Sequence, residues 1–211
     1  TIKSIEQNNL NPILFADVSV EPTDSSFKKA ILFAIANNID GFIGVGGGSS
    51  MDTAKAANLY STYPADFMTY VNAPIGKGML VPGKLKPMIA IPTTTGTGSE
   101  TTGTAVFDYE EMNAKTAIAH RELRPLIGLI DPENVRTIPP NVVACSGLDV
   151  LCHGLESYTA IPFHTRNKPE NPGLRPSYQG SNPISDIWSL TAVKMVAENI
   201  YNAVNDPGNH E

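Results

Sequence analysis

An α/β fold, with a mainly parallel sheet leading into the start of an all-helical domain, is predicted by three features of this chain. Short apolar strands alternate with helix-forming segments up to about residue 138. Two of those strands run directly into Gly- or Thr-rich loops. After Pro139-Pro140 the apolar spacing turns helical.

The elements follow in order. Pro12-Ile13-Leu14-Phe15-Ala16-Asp17-Val18 reads as a strand, and Asp24 to Asn38 as a helix with Phe27, Ile31, Ala34 and Ile35 at helical spacing. A buried strand over 41–45 precedes a helix from about Ser50 to Ser61 carrying Ala54, Ala57 and Leu59. A Gly/Pro-punctuated connection, Tyr63 to Lys86, leads to a buried strand over 87–92. The runs 104–109 and 115–120 form a hairpin around Glu110-Glu111-Met112-Asn113, and Pro125–Asp131 reads as a further strand. The domain boundary is placed near Ile138, giving an α/β domain over 1–138 and a partial helical domain over 139–211. A helix over 183–205 carries Trp188, Ala192, Met195, Val196, Ile200 and Ala203 on one stripe, which needs a covering partner.

Composition narrows the partners. A formal net charge of −6 without basic clusters argues against nucleic acid and anionic membrane surfaces. No apolar run approaches the roughly twenty residues of a membrane span. Cys145 and Cys152 fall seven apart in one helical stretch, which implies no disulfide framework and points to a reducing compartment; Cys152 is expected to be a small buried side chain. The first residues show no signal- or transit-peptide pattern.

Three segments carry chemistry. Gly46-Gly47-Gly48-Ser49 follows a strand and opens a helix, so bare N–H groups and the positive helix end meet at the sheet edge, as a phosphate requires. The plainer reading is a tight turn capped by Ser49 or Ser50. Pro92-Thr93-Thr94-Thr95-Gly96-Thr97-Gly98-Ser99-Glu100 opens on the same edge, and its hydroxyls and amides suit a ribose or phosphate; the alternative is a loop that satisfies its own backbone. Asp149 and His153 stand at i and i+4 on one helix face, where an oxygen and a nitrogen can converge on Fe²⁺ or Zn²⁺. Glu156 is a reserve-ligand candidate on the same stripe, and His120, His164 and His210 are read as surface or loop residues.

GGGSSMDTAK, PTTTGTGSE and GLDVLCHGLESY, in this order and spacing, resemble the iron-containing (group III) alcohol dehydrogenase family over nearly the whole chain. Residues 56–60, 73–78, 100–103 and 178–188, with the Pro-rich insertion between Ile161 and Asn182, look like its hydroxyacid-oxoacid transhydrogenase branch. The resemblance implies a Rossmann-like domain in which Gly46, Gly47, Gly48 and Ser49 hold the NAD(H) pyrophosphate. It implies that Asp52, Thr93, Thr94 and Thr97 also bind the cofactor, with Lys115 near its ribose, and that Asp149 and His153 are the first two ligands of Fe²⁺, with Zn²⁺ as the alternative. It implies hydride transfer from 4-hydroxybutyrate to 2-oxoglutarate in mitochondria, with small hydroxyacid and oxoacid substrates and a homo-oligomer as a compatible state. A plain NAD(P)-dependent alcohol dehydrogenase and a non-catalytic nucleotide-binding module are the alternatives. It also implies a fragment, starting after the family's first strand and ending before its last two metal-binding histidines, that binds metal weakly and turns over slowly or not at all.

Overall fold

The computed structural model describes residues 1–172, 175, 176 and 178–206, so His210 lies outside the described residues. A short helix α1 (Ile2–Gln7) precedes an extended segment and α2 (Asp24–Ala36). Thr23 and Ser26 close a reciprocal capping box at the start of α2. Then come β1 (Phe42–Gly46), α3 (Gly48–Thr62), β2 (Met88–Pro92), β3 (Thr104–Tyr109), β4 (Ala114–Ala119) and β5 (Ile127–Gly128). Helices α4 (Pro140–Thr159) and α5 (Pro183–Asn205) follow.

Among the described residues, β1, β2 and β5 form a parallel sheet in the order β1-β2-β5, and β3 and β4 pair antiparallel apart from it. The hairpin closes through Asn113 at φ 48, a left-handed position that asparagine tolerates. Its register sets Thr104 against Ala119 and Tyr109 against Ala114.

The main core lies between the two helices and the hairpin. Phe27 and Ile31 of α2, Ala56, Leu59 and Tyr60 of α3, and Ala105, Phe107 and Ile118 of the hairpin are buried together. A smaller cluster, Met51, Met88 and Ala90, seats α3 on the sheet. Gly44 allows that approach, because a Cβ there would stand 3.3 Å from both the Met51 Cα and the Met88 Cε. The opposite sheet face carries Ile43 and Val45, both exposed.

Four expectations are corrected. Residues 12–18 form no strand: Phe15 packs on Phe33 with ring centroids 5.1 Å apart, and the segment finds no ladder partner among the described residues. The expected strand 125–131 narrows to Ile127–Gly128, although Leu126 and Leu129 N–H also donate to β2 carbonyls. Ile35 is exposed and Ala30 is buried instead, because the buried face of α2 runs through Phe27, Ala30, Ile31 and Ala34. Cys152 is exposed, as is Cys145, and both are free thiols.

Helices α4 and α5 pack antiparallel. A Cβ on Gly147 would meet Ile200 Cδ1 at 3.2 Å, and one on Gly154 would meet Val193 Cγ2 at 2.9 Å, so glycine on α4 lets α5 close in. On α5, Ala192, Val196, Ile200 and Ala203 are half-buried, whereas Trp188 and Met195 stay 69% and 59% exposed. The predicted stripe is therefore split, because Val193 rather than Met195 faces Gly154. No described helix is long and apolar enough to cross a membrane.

Candidate cofactor and metal site

The triple-glycine turn forms where β1 ends and α3 begins. Gly46 sits at φ +145, a backbone state closed to most side chains, and a Cβ there would also run into the Ser50 side chain. Gly47 is the N-cap of α3 and no side chain caps the helix. Ser49 and Ser50 lie inside the first turn, so neither plays the capping part of the plainer reading. The leading amides of α3 thus keep a donor role for an anion at the positive end of a fifteen-residue helix.

The second loop leaves the sheet beside the first. Thr93 N–H donates to Gly46 O at 2.9 Å, carrying the β1–β2 pairing into the turn. From there the loops interlock. A Cβ on Gly47 would touch the Thr94 side chain at 3.4 Å, and one on Gly48 would meet Thr97 Cγ2 at 2.9 Å. Thr97 Oγ1 accepts from Ser99 N–H at 3.2 Å. Gly46, Gly47, Gly48, Ser49, Thr93, Thr94 and Thr97 are therefore brought to one edge of the sheet. The second and third glycines let the threonine loop close onto the turn, and the leading amides of α3, uncapped by any side chain, are donors of the kind a dinucleotide's pyrophosphate takes.

Asp52 points elsewhere. Its carboxylate accepts from Ser99 Oγ at 2.5 Å, from Lys55 Nζ at 3.2 Å and from Val106 N–H at 2.9 Å, and the residue is buried. The expectation that Asp52 contacts the cofactor gives way to an inward orientation that ties α3 to the threonine loop and to β3. Lys55, which sequence reasoning passed over, is fully buried and completes the knot, donating to Ser99 Oγ at 2.6 Å, Thr104 O at 2.7 Å and Thr102 Oγ1 at 3.3 Å. Burial pushes its pKa down, and the Asp52 carboxylate opposes that shift. The legible signal was an Asp and a Lys three apart on a helix whose neighbours are apolar.

Lys115 does lie on the hairpin, and its ammonium is engaged by carboxylates. It contacts Glu21 and lies 3.6 Å from Asp108 Oδ1, and the Glu21 hydrogen bond raises its pKa. His120 is half-buried, its Nδ1 accepting from Glu122 N–H at 3.3 Å; burial lowers its pKa. His164 is exposed.

The Asp149–His153 pair converges as its spacing requires, with Nε2 3.7 Å from Oδ1 and side chains 40% and 51% exposed. One oxygen and one nitrogen, both reachable from solvent, are a donor set that iron or zinc accepts as part of its shell. Among the described residues no third His, Cys, Asp or Glu joins them, so Glu156 does not complete a cluster with the pair. The threonine loop also reaches this helix: Thr95 Oγ1 lies 3.4 Å from Ser146 Oγ, three residues before Asp149.

Comparison with known proteins gives this arrangement a lineage. The chain is 57% identical over 212 residues to the mitochondrial hydroxyacid-oxoacid transhydrogenase of Xenopus tropicalis, covering all of this chain and 46% of that protein. It is 54% identical over 210 residues to the human protein of the same name, covering 99% of this chain and 45% of that one. The chain thus spans slightly under half the length of these relatives. The structure superposes on a sulfoacetaldehyde reductase from Bifidobacterium kashiwanohense, solved with NAD⁺, with a TM-score of 0.79 and 27% identity, covering 99% of this chain and 51% of that one. Residues 1–132, from α1 through the last strand of the sheet, match the profile described as iron-containing alcohol dehydrogenase, and the chain belongs to that family.

Proposed function

We propose that this chain forms the NAD-binding part, and one edge of the metal site, of a mitochondrial hydroxyacid-oxoacid transhydrogenase. The reaction moves a hydride from 4-hydroxybutyrate to 2-oxoglutarate, giving succinate semialdehyde and 2-hydroxyglutarate. The observation that carries this reading is the interlocked pair of loops, Gly46–Gly48 with Thr93–Thr97, touching the helix of Asp149 and His153. Its support from comparison is the 54–57% identity to proteins of that name, together with the NAD⁺-bound structural neighbour.

When bound, NAD supplies the hydride acceptor and donor, and iron supplies the Lewis acid that polarises the substrate oxygen. The chain's own residues bind and orient. The amides of Gly47, Gly48 and Ser49 would hold the pyrophosphate at the start of α3, where the helix dipole favours its charge. Thr93, Thr94 and Thr97, packed against the glycine turn, would supply further contacts to the cofactor. Asp52 and Lys55 act one layer in, pinning the loop that carries those threonines. Asp149 and His153 present the first two metal donors from one helix face.

The test is the coupled assay in the longest natural polypeptide that contains this sequence. With iron and a trace of NAD, 4-hydroxybutyrate should drive conversion of 2-oxoglutarate to 2-hydroxyglutarate. Reduction of free NAD by simple alcohols, with no oxoacid requirement, would point to an ordinary alcohol dehydrogenase. NAD binding with neither iron nor zinc by elemental analysis would point to a non-catalytic module.

A further inference from the structure

The threonine loop touches both halves of the site, and the place where it meets the metal-bearing helix has no room. A Cβ on Gly96 would stand 2.8 Å from Ser146 O, 2.9 Å from Ser146 Cβ and 3.0 Å from Ser146 Cα. Gly96 is not among the glycines with positive φ, so glycine is needed here for closeness and not for backbone shape.

Both sides of this contact are held. On one side the loop cannot retreat toward α3, because Thr97 already fills the space over Gly48 and Ser99 is locked to Asp52 and Lys55. On the other side α4 is packed against α5 through Gly147 and Gly154. Ser146 and His153, seven residues apart, point within about 20° of one another, and Asp149 lies about 60° round the helix. The stripe that meets the loop is therefore the stripe that presents the metal donors. Along the axis, Asp149 stands about 4.5 Å and His153 about 10.5 Å from Ser146.

We infer that Gly96 is a positioning residue whose missing side chain sets the separation between the glycine cradle on α3 and the Asp149–His153 pair on α4. The loop is a spacer of fixed thickness between the two. An alanine methyl needs roughly half an ångström or more of extra room to reach ordinary contact with the Ser146 carbonyl. That shift moves the cradle and the metal pair apart as units. Each half-site keeps its own ligands, and only the distance a hydride must cross changes.

This inference rests on the dinucleotide and metal reading above, and the experiment separates the two. In the longest natural polypeptide that contains this sequence, G96A is compared with wild type for NADH binding by fluorescence, bound iron, and 4-hydroxybutyrate turnover with protium or deuterium at C4. Expected for G96A are NADH affinity within about threefold of wild type, unchanged iron content, and turnover down by about ten- to a hundredfold. The deuterium isotope effect should rise as hydride transfer becomes slower than every other step. S146V, which thickens the same contact from the α4 side, should give the same pattern and serves if G96A does not fold. Unchanged turnover in G96A and S146V overturns the inference. So does loss of NADH binding, iron and turnover together in both variants, because the contact is then only structural. If wild type itself binds no NADH, the functional reading fails first and the inference falls with it.

Discussion

Replacing Lys55 by methionine should be among the most damaging single changes in the α/β half of this chain. The ammonium has no solvent contact and its three N–H groups are surrounded by four acceptors, at 2.6 Å to Ser99 Oγ, 2.7 Å to Thr104 O, 3.2 Å to Asp52 Oδ1 and 3.3 Å to Thr102 Oγ1. Methionine fills a similar volume, so the cavity contribution is small. What remains is a buried Asp52 carboxylate that keeps only Ser99 Oγ and Val106 N–H, and a Thr104 carbonyl that has lost its ammonium donor. Removing one partner of a buried ion pair costs about 3–5 kcal/mol. A domain is stable by only about 5–15 kcal/mol in all, so the variant should unfold at clearly lower urea. The assay is urea denaturation followed by circular dichroism on wild type, K55M, D52N and the double variant. The double variant should be less destabilised than the two single changes added together, with a coupling of about 1.5 kcal/mol or more. A K55M cost below about 1 kcal/mol, or strict additivity, would refute the account of a desolvated knot.

Three further outcomes follow from the same geometry. Gly46→Ala combines a strained φ near +145 with a collision at Ser50, so it should cost about 1–3 kcal/mol and weaken NADH binding at least severalfold; calorimetry with an unchanged Kd would count against the cradle. His153→Gln should lower iron affinity by more than about tenfold, because even residues that merely orient metal ligands are worth that much; metal titration followed by elemental analysis reads it. Burial holds the folded pKa of His120 below its ordinary 6.5, so the unfolded chain binds more protons between the two values and stability rises with pH across that window. The stabilisation is present above about pH 6.5 and lost on acidification through the folded pKa. H120N should therefore show a smaller drop in urea midpoint than wild type between pH 7.5 and 5, and equal drops would remove His120 as the cause.

Much of the site was legible locally. The Gly46–Gly48 turn, the hairpin around residues 110–113 and the Asp149–His153 pair depend on neighbours within a few positions, and each lies where its spacing puts it. The capped helix α5 matches the residues its sequence marks, with Asn182 as cap and Pro183 at its first position. The 12–18 segment shows where such reading stops, since its β-like composition cannot supply the neighbouring strand that a ladder needs.

What the amino-acid sequence alone determined is therefore the set of local elements, the conformations of the glycine turns and the direction of a helical pair about its own axis. Tertiary structure alone decided which groups meet across the chain. It turned Asp52 inward to Ser99 and Lys55, left Cys152 and Ile35 exposed, kept Glu156 out of a cluster with Asp149 and His153, and pressed Gly96 against Ser146. The reason is physical: periodicity fixes the angle at which a side chain leaves its own helix or strand, but the partner across the gap is chosen by packing among segments tens of residues away.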